Sequence, residues 1–402
     1  MKILLQINSF INFGSTGHIV EDIGNLAIAN GWESYIVYAR NDRNSLSKKI
    51  KIGDNWECYW HVLVTRLFDR HGLASRKATK KLIKQIHLIK PDIIHLHNIH
   101  GYYVNFDLLF KYLSTINTSI VWTLHDCWAY TGHCVHYSFI KCEKWKNHCC
   151  HCPIPLSYPK SLLIDRSKQN FENKKNAFCS VKNMIIVPVS QWLAYEVSQS
   201  FLNKYPIKQI YNGIDTRVFS PILPSVKKKY RVEDKFMILG VASIWNERKG
   251  LKNFKELACK LSNDKIIFLV GLTKKQMINL PSNIIGIERT ENIHQLVELY
   301  SSADIFINPT WDDNFPTTNI ESLSCGTPVI TYNTGGSIEA INNDTGFIVA
   351  QGDITGLLNA INLVKQKSKS FYSSACRKRA MSCFDRKDRY EEYLQLYEEM
   401  KK

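Results

Sequence analysis

The stretch NPTWDDNFPTTNIESLSCGTPV, Asn308 to Val329, carries the reading of the whole chain. It follows a short apolar run, Ile305 to Ile307, and leads into a helix, so its loop lies at the carboxyl end of a strand. Asp313 falls in that loop and Glu321 falls eight positions later, inside the helix. A helix amino terminus offers unpaired backbone N–H groups and a partial positive charge, an arrangement that holds phosphate without a metal. A carboxylate one or two turns further in can accept hydrogen bonds from two neighbouring ribose hydroxyls. The geometry suits a nucleotide diphosphate, with Pro316, Thr317 and Thr318 at the helix start.

Outward from this loop the chain alternates short apolar strands with amphipathic helices, the pattern of parallel sheets covered on both faces. Strands are expected at Lys2–Ile7, Glu33–Tyr38, Asp92–Leu96, Ser119–Leu124 and Met184–Val189. A second series is expected at Phe236–Gly240, Lys265–Val270, Ile284–Ile287, Ile305–Ile307 and Pro328–Thr331. A helix from His18 to Asn30, ended by Gly31, follows the first strand. The fold class is therefore α/β, with two Rossmann-like doubly wound domains facing across a cleft. The joint is placed in Asn203 to Lys229, which holds Pro206, Pro221 and Pro224. Domains of 1–205 and 206–385 follow, with a terminal helix, 386–402, packing back across the joint. At 402 residues the chain is too long for one ordinary core, which fits two domains. Ligands of such sheets bind beyond the carboxyl ends of the strands.

The net charge is +16. Residues 1 to 215 hold 26 Lys/Arg against 15 Asp/Glu, and residues 216 to 402 hold 26 against 21, so the first half carries +11 and the second +5. Such asymmetry fits an anionic membrane surface, a polyanionic substrate or a solvated basic face. No aromatic-basic single-strand motif or DNA-reading helix is present, so nucleic acid is not an expected partner. The start, MKILLQINSF, lacks the long apolar segment of a signal peptide, and no apolar run reaches about 18 residues. The expected location is the cytoplasm, with peripheral contact on the inner face of the cell membrane.

The acidic-x7-Glu stretch resembles the motif of family-4 retaining glycosyltransferases of the GT-B fold. IYNGIDTRVFSP at Ile210 to Pro221, RKG at Arg248 to Gly250, Gly335 and Gly336 with Glu339, and Gly346 with Phe347 agree. Within that family the chain resembles bacterial enzymes building exopolysaccharide, capsule or lipopolysaccharide, on segments similar to IIHLHNIHGYYVN and HDCWAYTGHC. The resemblance implies a nucleotide-diphosphate sugar as donor and a lipid-linked saccharide as acceptor; no catalytic cofactor is expected, because fixed cations and helix N–H groups face the diphosphate and no Asp-x-Asp metal-binding motif is present. It implies that Glu321 binds the ribose, that Asp313 contacts hydroxyls of the transferred sugar, and that Lys249, helped by Arg248, neutralises the departing diphosphate. Two departures stand out. The family usually has Glu where this chain has Asp313, and usually has Arg a few residues before the Lys-Gly pair, where this chain reads VASIWNE. Rival readings are another GT-B reaction on nucleotide sugars, epimerase-like, and a catalytically silent nucleotide-sugar-binding subunit.

Gly14 and Gly17, in GSTG after the first strand, let a phosphate or backbone approach closely. The family's equivalent loop lies beside the donor phosphates. His125 follows the strand Ser119–Leu124, and the family's matching histidine contacts the donor sugar near the anomeric carbon. His95, His97, Asn98 and His100 end the preceding strand and are candidate acceptor contacts.

Five of the twelve cysteines fall between residues 134 and 152, in a loop spanning 133–153. Cys134, Cys142, Cys149 and Cys152, spaced C-x7-C-x6-C-x2-C, offer four thiolates for a structural zinc, with free thiols and disulfides as alternatives. Between Arg66 and Lys90, eight residues are Lys or Arg, interleaved with Leu67, Phe68, Leu82 and Ile86. Such a segment either sits on anionic headgroups or turns its apolar stripe into the domain core.

Overall fold

Runs such as SIVWTL at Ser119–Leu124 and KIIFLV at Lys265–Val270 are buried at every position, as strands covered on both faces must be. The computed structural model describes residues 2–401. The strands are β1 (Lys2–Ile7), β2 (Trp32–Tyr38), β3 (Lys48–Lys51), β4 (Ile93–Leu96), β5 (Ser119–Leu124) and β6 (Met184–Pro188). They continue as β7 (Phe236–Val241), β8 (Lys265–Val270), β9 (Ile284–Ile287), β10 (Ile305–Asn308), β11 (Val329–Tyr332) and β12 (Gly346–Val349).

One sheet runs β3-β2-β1-β4-β5-β6 and the other β12-β11-β10-β7-β8-β9, and all the pairings are parallel. Both have the same doubly wound order. Connections leave in opposite directions from β1 and β4 in the first sheet, and from β7 and β10 in the second. Loops after these strands line the crevice where such sheets bind ligands.

The chain divides into two compact units, one of residues up to Tyr211 together with those from Arg389 on, the other Asn212–Asp388. The expected division after residue 205 thus falls six residues later. The path returns to the first unit within one helix, Arg386–Met400. There Tyr390, Tyr393, Leu396 and Tyr397 bury against Leu4, Ile23, Trp32, Ile93 and Val121, each contributing on the order of 2 kcal/mol. Polar bonds fix its rotation: the Tyr397 hydroxyl lies 2.6 Å from His95 Nδ1, and Thr123 Oγ1 donates to the Tyr393 hydroxyl at 3.0 Å.

Two strands were not legible in the sequence. β3 reads KKIK and is an edge strand with three lysines, a composition that guards an open edge and erases the apolar pattern. β12 is only four residues long and starts at Gly346, whose φ of +154° lets its backbone approach the Val329 carbonyl. The first helix also differs from expectation. It spans Gly14–Ala29, so Gly14 and Gly17 form its first turn instead of a loop ahead of it; the low helix propensity of glycine hid this start.

Candidate active site

In the second unit, the loop after β7 and the loop after β10 interlock. The Arg248 carbonyl accepts from Trp311 N at 2.7 Å and from Thr310 Oγ1 at 3.3 Å, while the Arg248 guanidinium donates to the Asp312 carbonyl. Gly250 sits at φ +80°, and a Cβ there would lie 2.2 Å from the Pro309 carbonyl oxygen, so only glycine allows this approach. Lys249 Nζ then meets Asp313 Oδ2 at 2.5 Å. A second turn grips the same loop from behind: Gly336 N donates to the Asp313 carbonyl at 3.1 Å, and Gly335, at φ +49°, passes so close that a Cβ would clash with it. Asn319 ties the helix to both neighbours, accepting from Asn308 Nδ2 at 2.8 Å and donating to the Ser337 carbonyl at 2.9 Å.

The helix Thr317–Ser324 starts at this loop with Pro316 as its cap residue, which has no side-chain hydrogen bond to the first-turn amides. Thr317 and Thr318 are half-buried at its amino end. One turn on, Glu321 accepts from the Tyr300 hydroxyl at 3.0 Å. Burial raises the Glu321 pKa, against the pull of hydrogen bonds from Tyr300 and Thr317. The structure therefore brings Arg248, Lys249, Asp313, Pro316, Thr317, Thr318 and Glu321 into one neighbourhood of the second unit. Arg248 is tied to the loop backbone, and Lys249 holds the cation beside Asp313. Tyr300 was missed because nothing near it in sequence marks a site.

In the first unit the loops after β4 and β5 carry a row of histidines. His97 is buried, with Nε2 3.2 Å from Gln6 Oε1 and Nδ1 3.2 Å from His125 Nε2. Gln6 Nε2 donates to the Val20 carbonyl, which turns Oε1 toward His97. With Gln6 Oε1 accepting, His97 carries its proton on Nε2 and its Nδ1 accepts from His125 Nε2. Burial drives His97 well below the usual histidine range and brings His125 down to about 4, against the pull of Asp126. Both rings are neutral at pH 7. His100 Nε2 binds Asp126 Oδ2 at 2.7 Å. Burial pushes the Asp126 carboxyl up, but His100 and the Trp128 amide outweigh it and bring it to about 2.

Of the four expected acceptor contacts, His95 is corrected. It is fully buried between Thr123 and Tyr397, with both ring nitrogens engaged, because a β4 side chain at that register faces the terminal helix. His97 backs His125 from the interior. Asn98 and His100 are partly open, and Asn98 Nδ2 reaches Thr16 Oγ1 at 3.4 Å on the Gly14–Ala29 helix. Gly17 lies in that first turn, and a Cβ on it would press the Asn12 backbone at 3.4 Å. Asp126 and Gln6, which position the histidine row, carry no local motif beyond HD in the sequence.

All twelve cysteines are free thiols. Cys134, Cys142, Cys149, Cys150 and Cys152 line one cavity with His133. Cys134 and Cys152 hydrogen-bond to each other, and His133 Nδ1 is 2.7 Å from Asp69 Oδ1. Among the described residues no three His, Cys, Asp or Glu side chains converge as metal ligands. The expected four-thiol cage is thus gathered but not closed. Lys174 was also missed: its buried ammonium donates to the Trp128 and Thr131 carbonyls and braces the start of this loop.

Paired doubly wound units whose switch-point loops hold fixed cations, carboxylates and histidines define a glycosyltransferase of GT-B architecture. Comparison with known proteins agrees: the family Glycosyltransferase Family 4 matches residues 17–218, and Glycosyl transferases group 1 matches 224–380. The chain belongs to glycosyltransferase family 4. A relative in Escherichia coli strain K12, itself provisionally assigned as colanic acid biosynthesis glycosyl transferase WcaC, is 22% identical over 99% of this chain and 100% of its own length. An Escherichia coli UDP-Gal:alpha-D-GlcNAc-diphosphoundecaprenol alpha-1,3-galactosyltransferase is 22% identical over 51% of this chain and 57% of its own. The crystal structure of Anabaena Alr3699/HepE in complex with UDP and glucose superposes with a TM-score of 0.70 at 15% identity, covering 99% of this chain and 100% of that one. No helix among the described residues is long and apolar enough to cross a membrane.

Proposed function

We propose that this glycosyltransferase moves a sugar from a nucleotide-diphosphate sugar to a hydroxyl of a lipid-linked saccharide in cell-surface polysaccharide synthesis, with retention and without a divalent metal. The observation that carries the reading is the interlock of Arg248–Gly250 with the loop after β10, which sets Lys249 beside Asp313 near the start of the Thr317–Ser324 helix. A leaving diphosphate gathers negative charge as the glycosidic bond breaks, and fixed cations with helix N–H groups stabilise it. Glu321 takes the ribose hydroxyls and Asp313 the hydroxyls of the transferred sugar. His125, neutral, meets a hydroxyl of the donor sugar near the anomeric carbon. The acceptor class rests on the diphosphoundecaprenol-linked substrate in the galactosyltransferase's name.

A panel of UDP-, GDP- and ADP-sugars tests the donor. The right one at 100 times its Kd stabilises the protein by about 2.7 kcal/mol, and no shift with any of them removes the reading. Retention is checked by the anomeric configuration of the product, and metal independence by activity in EDTA, where a loss that magnesium alone restores would overturn it. A structural zinc at Cys134, Cys142, Cys149 and Cys152 belongs to the same reading, reached by rotating side chains that already share a cavity. Elemental analysis of protein purified without chelator should find about one zinc per chain; a value near zero in folded, reduced protein removes it.

A further inference from the structure

The helix Asn55–Phe68 is built inside out. Its buried positions are Cys58, His61 and Thr65. His61 is held at both nitrogens, Nδ1 2.8 Å from Ser75 Oγ and Nε2 accepting from Gly72 N at 2.9 Å. The opposite face carries Trp56, Tyr59, Trp60 and Leu63, at i, i+3, i+4 and i+7, exposed at 83%, 68%, 61% and 46%. Beyond the helix end, Leu162 and Leu163 are exposed as well, and Leu162 N donates to the Arg66 carbonyl at 2.7 Å. A soluble surface does not otherwise gather two tryptophans and a tyrosine on one ridge.

The neighbouring charge is one-sided. The helix Arg76–Ile89 turns Leu82 and Ile86 into the unit and leaves Arg76, Lys77, Lys80, Lys81 and Lys84 exposed. Its start abuts the aromatic helix, where Ala78 N donates to Glu57 Oε1 at 3.2 Å. Asp69 is the only carboxylate between Arg66 and Lys90, and it is buried against His133. The basic stretch therefore contributes charge, and the apolar contact expected of it lies instead on the helix before it.

We propose that the outer face of Asn55–Phe68 docks on an anionic lipid bilayer, its aromatic ridge entering the headgroup layer while the adjacent lysines and arginines lie over lipid phosphates. Tryptophan and tyrosine favour that layer because one end of each ring is apolar and the other polar. Cations beside them add attraction that falls with salt. The proposal rests on the lipid-linked acceptor read above, since it brings the enzyme to the surface that holds such an acceptor.

The test is co-sedimentation of the full chain with vesicles of phosphatidylglycerol and phosphatidylcholine in equal parts, or of phosphatidylcholine alone, without substrate. The wild type should bind the anionic vesicles better, and more weakly as salt rises. The double variant Trp56→Ala/Trp60→Ala should lose about ten-fold or more in binding, with unchanged circular dichroism and unchanged donor affinity. Equal binding by the variant, or no binding by the wild type, overturns the proposal. So does a wild-type dimer that the variant abolishes, which would assign the ridge to a second copy. Vesicle binding without sugar transfer would sink the functional reading alone, and transfer without vesicle binding would sink this proposal alone.

Discussion

The two sheets share one strand order, yet the loops at their switch points do opposite things with charge. In the second unit, Lys249 and Asp313 stand as an ion pair, held by Arg248, Gly250 and the Gly335–Gly336 turn through backbone contacts. In the first unit, His97 and His125 stand as neutral rings, kept so by burial and passed one proton position each from Gln6. Twelve of the thirteen histidines belong to the first unit, and the remaining one, His294, lies exposed in the second. The same scaffold therefore carries a Lys–Asp ion pair at one switch point and, at the other, neutral histidine rings beside the His100–Asp126 pair. The topology places the loops, and the loop residues decide the chemistry.

Removing the charge of the second site should give the largest effect. On the proposed function, Lys249→Ala keeps the fold, weakens nucleotide binding several-fold and loses about 100- to 1000-fold in kcat, because charge on the diphosphate grows toward the transition state. Saturating-donor turnover beside calorimetry checks it; near-normal turnover would move the leaving-group site elsewhere. Glu321→Ala should act on binding instead, weakening nucleotide affinity about ten- to 150-fold by the loss of hydrogen bonds to a charged group. Tyr300→Phe, which frees the carboxylate from its internal donor, should stay within about ten-fold, and a larger loss than Glu321→Ala would mean that Tyr300 itself meets the ligand.

Acid should separate the units. Burial depresses His61 to about 3 and His125 to about 4, and drives His71, His95 and His97 well below the usual range. A ring with a depressed pKa takes up its proton in the unfolded chain near pH 6.5 but not in the folded one, so stability falls as the pH drops below that value. The loss is about 1.4 kcal/mol per pH unit for each ring that stays neutral. His133, raised beside Asp69 in spite of burial, works the other way. Urea unfolding with pulse proteolysis at pH 7 and pH 5 should show the first unit losing more than the second. Equal loss in both would show that the histidine row does not stay neutral.

Much of the scaffold was legible because its signals are local. Apolar runs of three to six residues marked ten of the twelve strands, and the acidic-x7-Glu spacing placed Asp313 and Glu321 around a helix start. Spacing along one chain says nothing, however, about which side chains meet across elements. Lys249 and Asp313 are 64 positions apart, His97 and Gln6 are 91, and His95 and Tyr397 are 302. His95 and His97 look equivalent in IIHLHN and, two residues apart, lie on one face, but the terminal helix covers His95 and makes it a core hydrogen-bond partner, whereas His97, just past the strand end, supports His125. The helix Asn55–Phe68 shows the same limit in reverse: its sequence shows where the aromatic residues recur, and only the burial of His61 and Thr65 decides that they face outward. Local pattern is set by backbone periodicity, whereas the partner of a side chain is set by how distant elements pack, and there tertiary burial overrode what the residue types alone suggested.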